Sequence, residues 1–421
     1  MTTNAKADVL VIGGGVIGVC AAYYLAERGR QVTLVEQGDI AAGSSYGNAG
    51  LIVPSHSAPL AAPGALASGL KWMLDPESPF YIKPRLDLDL IAWLFKFTAA
   101  CNEAQMRRGI PVLRDLGCAS SALFDELAKL KGLSFGYARK GVLLVYKTES
   151  GLKHGVEEAQ LMAEAGITSK TLTAKEASTL EPAIRPDMAG SVYYPGDSHL
   201  NPAEFVQGLA RWLERKGVRF HRNTTVTEVE RSGRAITNVK TTNGGFQADE
   251  VVVAAGAWSP GLVHSLRLDL PIQAAKGYSV TVKRPATSPI IPLLLGESRV
   301  AVTPMASPTG PILRFAGTLE LAGLDLSINQ RRVDALRRAS KEYMVGMDNL
   351  ETIEVWRGLR PCTPDGLPII GRPASFDNLT IAAGHAMSGI SLGPITGKLV
   401  AQAVCGEEPE IDLKPLRVER F

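Results

Sequence analysis

Residues 8–36 constrain this chain more than any other stretch, because they read as strand, glycine turn, helix and second strand in immediate succession. Val9 to Ile12 is an apolar run with the composition of a buried strand. Gly13, Gly15 and Gly18 then spell G-x-G-x-x-G around Val16 and Ile17, and Ile17, Ala21, Ala22 and Leu25 follow at helical spacing up to a stop at Gly29. Val32 to Val35 reads as the second strand and ends in Glu36, 18 residues after Gly18 and followed by Gln37. The glycines have separate roles. Gly13 permits the tight turn, Gly15 lets the backbone approach a pyrophosphate, and Gly18 lets the helix pack close to the strand. Free N–H groups at the helix start face the phosphates. Glu36 can accept hydrogen bonds from an adenosine ribose, and its charge disfavours a 2′-phosphate. The motif by itself does not separate FAD from NAD.

With 421 residues and 45% apolar content, the chain can build two domains with real cores. The net charge of +3 is spread without a basic stripe, which excludes nucleic acid as an expected partner. Cys20, Cys101, Cys118, Cys362 and Cys405 are scattered, with no C-x-x-C, and the histidines lack ligand spacing. No metal site or disulfide framework is therefore expected, and a cytoplasmic location fits. There is no basic segment followed by an apolar stretch of signal-peptide type, and no apolar run of ~18 residues that could span a bilayer. Leu86, Leu88, Leu90, Ile91, Trp93, Leu94, Phe95 and Phe97, interrupted by Asp87, Asp89 and Lys96, suit a buried or interdomain helix, or a peripheral contact with the inner membrane.

Beyond Glu36, the small-residue loop Ser44, Ser45, Tyr46, Gly47, Asn48, Ala49, Gly50 can lie flat on a cofactor. Residues 65–150 read as an insertion with helices near 86–103 and 110–130. Thr173 with Glu176 forms a capping box, and Asn201 caps a helix opening with Pro202. A hairpin turns at Asn243-Gly244. A buried strand ends at Ala255, Gly256 and Trp258, where ligands bind in open α/β sheets. Strands from Ile272 onward begin a β-rich region. Leu379 to Ala383 is an apolar strand, the loop Gly384 to Pro394 follows, and a last helix is expected from about Ile395 to Cys405. The expected fold class is α/β, a discontinuous Rossmann-like nucleotide domain (1–85, 150–265, 350–421) with an inserted α+β substrate domain (86–149, 266–349) on a mostly antiparallel sheet. A nicotinamide dehydrogenase more often keeps its nucleotide domain in one piece, so the discontinuity favours FAD.

Four blocks carry a family resemblance: GGGVIG with Glu36; GSSYGNAG with PLAAPG; LKWML with SPFYIKPRLD; and WRGLRPCTPDGLPIIG with AGHAMSG. With KGYSVT and VVVAAGAWS they span essentially the whole chain, which resembles the D-amino-acid oxidase superfamily of flavoproteins and, within it, bacterial D-amino-acid dehydrogenases. The resemblance implies that Glu36 holds the ribose and that Val226 meets the adenine through its backbone. Ser44, Ser45, Asn48, Ala49 and Gly50 would line the pyrophosphate and flavin, and Gly256 the ribityl region. The loop holding Gly384, His385, Ser388, Gly389 and Ile390 would offer N–H groups to the flavin N1–C2=O edge, where a helix N-terminus stabilises negative charge.

Arg360 matches the family arginine that binds the substrate carboxylate, a role suited to a guanidinium fork. Arg357, three residues away, competes for that role. Tyr278 is a candidate pocket wall or a core tyrosine. His56 is expected to be a surface or backbone-bonded histidine and His385 to support its loop. The glycine-oxidase branch has a substrate-contacting tyrosine on the strand matching Arg299 to Pro304, whereas this chain has Ala301 there, in agreement with the dehydrogenase branch. Cys362 is displaced from the position of flavin-linked cysteines, so FAD is expected to be non-covalent. The implied reaction is hydride transfer from a small amino acid Cα to flavin N5, with hydrolysis of the imine to an oxo acid and ammonia, and electrons passing to a quinone or other carrier. Rival readings are an oxidoreductase for D-hydroxyproline, proline, glycine or sarcosine, acting alone or within a hetero-oligomer, and a non-catalytic FAD-bound subunit.

Overall fold

The computed structural model describes residues 4–65 and 80–421. The LKWML block, with Ser78 and Pro79, lies outside the described residues. Two large sheets carry the architecture. In the first, the N-terminal strand Asn4–Ile12 is parallel to Val32–Val35 on one side, and Val32–Val35 is parallel to Arg219–His221. On its other side it is parallel to Gly244–Val253. The C-terminal half of Gly244–Val253 also pairs in parallel with Leu379–Ala383, so the two ends of the chain join one sheet. The expected hairpin is present, with Ala235–Thr241 antiparallel to Gly244–Val253. Val9, Val11, Val252 and their neighbours are fully buried, as strands covered on both faces must be.

Helices Val16–Ala26 and Gly389–Cys405 cover this sheet and cross at close range. A Cβ on Gly397 would collide with the Cys20 backbone, and one on Gly393 would lie 2.6 Å from Val16 Cγ2. The glycines thus remove the side chains that would hold the two helices apart. The last helix begins at Gly389, six residues before the expected start at Ile395. Pro394 sits inside it, where it costs one intrahelical hydrogen bond; a proline ordinarily marks a helix boundary, which is why the segment reads as loop in the sequence. The capping box of Thr173 and Glu176 and the Asn201 cap on Pro202–Arg215 form as the sequence indicates.

The second sheet runs Thr352–Cys362, Gln273–Lys283, Ile312–Leu321, Val300–Met305, Leu293–Leu295, Val142–Tyr146, Gly190–Tyr194, Lys170–Thr173, and Phe80–Ile82 adds beside Ile312–Leu321. Most pairs are antiparallel, and helix Gln330–Tyr343 packs on one face. Sheet membership departs from the expected division at four strands, of which Phe80–Ile82, within 1–85, pairs with Ile312–Leu321 of the second sheet. Lys170–Thr173 and Gly190–Tyr194 fall within 150–265 yet pair into the second sheet. Thr352–Cys362, within 350–421, is that sheet's edge strand. Conversely, helix Glu103–Leu127 sends Leu113, Leu116, Leu123 and Phe124 into the core shared with Phe205 and Leu399, beside the first sheet. The partner of a strand or helix is a tertiary choice that local composition does not encode.

Candidate active site

A cavity of about 1260 Å³ runs from the first sheet's glycine turn to the second sheet. That is larger than the ~300–1,000 Å³ of an ordinary small-ligand pocket, and suits a dinucleotide with a substrate beside it. At its nucleotide end, Gly13 has φ +113°, and a Cβ there would lie 2.5 Å from the Ala254 carbonyl oxygen. A Cβ on Gly18 would strike the Gly13 carbonyl oxygen. At Gly15 the nearest atom to such a Cβ is Ser45 Oγ at 3.4 Å, so the backbone there stays open to the cavity. The Glu36 carboxylate accepts from the N–H of Gly14 at 2.6 Å and of Gly38 at 2.9 Å. That fixes the acid at the rim and leaves lone pairs for hydroxyl donors.

Two helix N-termini open on this space. Gly15 heads the N-terminal helix and Ser388 the C-terminal one, and neither cap residue makes a side-chain hydrogen bond to its helix. The Val16 N–H donates to Ser45 Oγ at 3.0 Å, which draws the Ser44–Gly50 loop onto the first of them. Open helix starts favour anionic groups such as a pyrophosphate. Val16, Ile17, Gln37, Ser44, Ser45, Asn48, Ala49, Val226, Ala255, Gly256, Trp258, His385, Ser388, Gly389 and Ile390 all line the cavity. Three expected residues do not. Gly18 is taken up by helix packing. Gly50, at φ +72°, sits against the Leu200 carbonyl and donates its N–H to Asn48 Oδ1 at 2.8 Å. Gly384, at φ +81°, turns the chain against Thr363. All three shape the backbone that holds the lining.

The loop over the cavity is tied to the second sheet. The Ser44 hydroxyl donates to the Leu359 carbonyl, and Arg314 Nη1 donates to the carbonyls of Tyr46 and Asn48, each at 3.0 Å. Along Thr352–Cys362 the side chains alternate. Trp356, Gly358, Arg360 and Cys362 line the cavity, while Arg357 does not, and its Nε donates instead to the Leu326 carbonyl at 2.9 Å. Arg357 is therefore set aside as a carboxylate ligand. Arg360 Nη1 donates to the Thr318 carbonyl and Nη2 lies 3.5 Å from that of Gly317. The guanidinium rests on Gly277, where any Cβ would collide with it. Burial pulls its pKa down from the ordinary arginine value. It stays protonated nonetheless. Among the described residues no carboxylate lies within ion-pair distance of it.

Tyr278 borders the cavity but is 1% exposed; its hydroxyl donates to Glu320 Oε2 and accepts from the Asn329 N–H, both at 3.2 Å. It belongs to the second core with its hydroxyl committed to these two partners, which is the core-tyrosine alternative of the sequence reading. His385 Nε2 meets Thr396 Oγ1 at 2.9 Å, and burial pushes its pKa down to about 3, so it stays neutral and braces its loop. His56 is exposed, and the space it faces is the cavity. The sequence reading missed Trp356, whose indole lies across Gly47 and Gly358, both too crowded for a Cβ. The available signal was that Gly358 and Gly277 are cross-strand partners, a pairing visible only once the strands are aligned.

The cofactor of this site is FAD, and two open helix N-termini, an acid at the rim and a loop of small residues fit it. The family described as DAO, FAD dependent oxidoreductase, matches residues 8–403. A "D-amino acid dehydrogenase" of Methylobacterium nodulans is 34% identical over 420 residues, covering 98% of this chain and 99% of the relative. One from Cereibacter sphaeroides is 32% identical, covering 98% and 95%. Among solved structures, glycine oxidase from Geobacillus kaustophilus superposes with a TM-score of 0.80 at 25% identity, covering 99% of each chain. L-proline dehydrogenase from P. horikoshii shares the fold at a TM-score of 0.78 and 20% identity, covering 100% and 98%. The chain belongs to the DAO family of FAD-dependent oxidoreductases and is an enzyme of amino-acid oxidation.

Proposed function

We propose that the protein oxidises a D-amino acid at Cα, yielding the imino acid that water hydrolyses to a 2-oxo acid and ammonia, with electrons leaving to a quinone or another carrier. The observation that carries this reading is Arg360: a half-buried guanidinium on the cofactor cavity with no acid beside it among the described residues. Two of its N–H groups are spent on carbonyls, and the rest are free for a substrate carboxylate in fork geometry. Gly277 beneath it, paired across the strands with Gly358 under the Trp356 indole, leaves room for that carboxylate, and its docking there would aim Cα at the cofactor. FAD, held without a covalent link, supplies the two-electron acceptor. Glu36 and Glu158 are the only carboxylates lining the cavity among the described residues. The ammonium therefore loses its proton to solvent before reaction, and the rate rises with pH until the bound amine is neutral. The D-configuration is supported by the relatives' names.

The carrier side is supported by the helix Leu88–Ala100. Its inner face puts Trp93, Leu94 and Phe97 on the cavity, and its outer face leaves Leu88 83% and Phe95 73% exposed, next to a fully exposed Leu86. That surface suits contact with a membrane, where an apolar carrier resides. Among the described residues no helix is long and apolar enough to cross one. The test is anaerobic mixing of the holoenzyme with D-alanine, L-alanine, D-proline and glycine, followed by bleaching at ~450 nm, a property of the flavin cofactor. Bleaching by a D-amino acid is expected; reduction by glycine or L-alanine alone would overturn the reading.

A further inference from the structure

The face of the second sheet that carries Arg360 changes character along Gln273–Lys283. Thr281 and Ser279 pair with Arg314 and Trp356. These two meet the Ser44–Gly50 loop, Arg314 through the Tyr46 and Asn48 carbonyls and Trp356 against Gly47. Gly277 comes next and carries the Arg360 guanidinium. Ala275 follows, and it pairs with Arg360 on one side and with Leu321 on the other. Leu321 in turn pairs with Ile82, and Leu319 with Phe80. Directly paired residues point to the same face of a sheet. Arg360, Ala275, Leu321 and Ile82 are therefore one row across four strands, on one face.

An apolar wall thus begins beside the guanidinium. Leu319, Leu321, Phe80 and Ile82 line the cavity there, and helix Leu88–Ala100 packs against them through Trp93, Leu94 and Phe97. The helix is fastened to the sheet. Trp93 Nε1 donates to the Cys362 carbonyl at 2.9 Å, and its ring stacks on Phe97 with centroids 5.0 Å apart. Among the described cavity-lining residues of these four strands and this helix, Arg360 is the only charged side chain. Phe80, Ile82, Leu94, Phe97 and Leu319 are each half-buried, so each keeps apolar surface open. A ligand group that covers such surface gains in proportion to the area it removes from water.

Anchor and wall are adjacent, because the carbonyl that accepts from Arg360 Nη1 belongs to Thr318, the residue before Leu319. We propose that this wall is the side-chain pocket, and that the preferred substrate is a D-amino acid with a large apolar side chain, aromatic or branched aliphatic. This rests on the assignment of Arg360 to the α-carboxylate. With the carboxylate on the guanidinium, the side chain turns toward Leu319 and Phe97, away from the end of the sheet where the Ser44–Gly50 loop lies.

The test compares D-phenylalanine, D-leucine, D-asparagine and D-alanine on the holoenzyme, with Phe97→Ala, Phe97→Leu and Leu319→Ala. D-leucine and D-asparagine have nearly the same shape and differ in polarity. One methylene in an apolar pocket is worth ~10- to 200-fold in kcat/KM, so the wild type should favour D-phenylalanine and D-leucine over D-alanine and D-asparagine by ~10-fold or more. Phe97→Ala and Leu319→Ala should each lower the D-phenylalanine to D-alanine ratio by ~10-fold, and Phe97→Leu should recover part of the loss. A separate readout is calorimetric binding of 3-phenylpropionate against propionate to the oxidised holoenzyme. 3-Phenylpropionate should bind more tightly, and its advantage should shrink in Phe97→Ala. Equal use of D-leucine and D-asparagine by the wild type, or an unchanged ratio in both alanine variants, overturns the pocket. So does a Phe97→Ala protein whose only change is a raised saturation constant for a quinone acceptor, which gives the wall to the carrier. If no D-amino acid reduces the cofactor, the proposed reaction fails, and the two acids then decide the pocket: a Phe97-dependent preference for 3-phenylpropionate supports it, and equal binding overturns it.

Discussion

Replacing Arg360 by alanine tests the residue on which the proposed chemistry turns. The guanidinium is half-buried, donates to the carbonyls of Thr318 and Gly317, and has no acid beside it among the described residues. A carboxylate that docks on it forms a desolvated, bidentate pair. Truncating one partner of such a pair costs ~2–5 kcal/mol, much of it from leaving the other charge unpaired. At ~1.36 kcal/mol per decade, kcat/KM for the preferred D-amino acid should fall by ~30- to 5,000-fold. Anaerobic stopped-flow reduction reads this directly, because its amplitude also reports that the cofactor is still bound. Arg360→Lys should recover only part of the loss, since an ammonium cannot form the fork. Arg357→Ala is the internal control: its side chain lies off the cavity on the Leu326 carbonyl, and reduction should stay within about twofold, as for surface substitutions. A D-substrate reduction rate and saturation constant unchanged in Arg360→Ala would refute the assignment. Loss in Arg357→Ala with none in Arg360→Ala would mean that the face of this strand has been misread.

Three other outcomes are expected. Gly18→Ala puts a methyl group against the Gly13 carbonyl, so the purified protein should carry well under the wild-type flavin-to-protein absorbance ratio, whereas the same change at Gly196, with nothing near its Cβ and no left-handed backbone, should not alter that ratio. Asp197 is buried and accepts from Ser55 Oγ at 2.5 Å, and burial raises its pKa from 3.8 to about 7. Between those values the folded protein holds a proton that the unfolded chain has released. Stability should therefore fall, by up to ~4 kcal/mol, as pH rises from 3.8 to about 7, and Asp197→Asn should flatten that slope in a series of Tm values. Leu88→Ser with Phe95→Ser should weaken co-flotation with anionic phospholipid vesicles while leaving anaerobic reduction by the D-substrate intact; wild type that does not float would remove the membrane contact.

The nucleotide half was legible because its signals are local. A glycine turn, an acid after the second strand and a closing strand and loop each state their geometry within a few residues, and Gly13, Gly18 and Glu36 take the positions read from them. Even the joining of both chain ends could be anticipated, since an apolar strand followed by a glycine-rich loop and a helix start needs a partner sheet. The second sheet was not legible to the same depth. Val142–Tyr146 is buried at every residue, so it has no alternation to say which sheet covers it, and its neighbour Leu293–Leu295 is some 150 residues away. Helix Glu103–Leu127 shows a clear apolar face, but an apolar face does not name the surface it will meet.

The site separates along the same line. Two arginines three residues apart on a strand must point to opposite faces, so sequence alone shows that only one of Arg357 and Arg360 can reach the cavity. What chooses between them is the partner strand. Gly277 is the residue that leaves space for a guanidinium, and it does so only because the antiparallel register sets Gly277 against Gly358 and Ala275 against Arg360. A shift of one residue would turn Arg360 into the opposite core and leave Trp356 without the gap over Gly47.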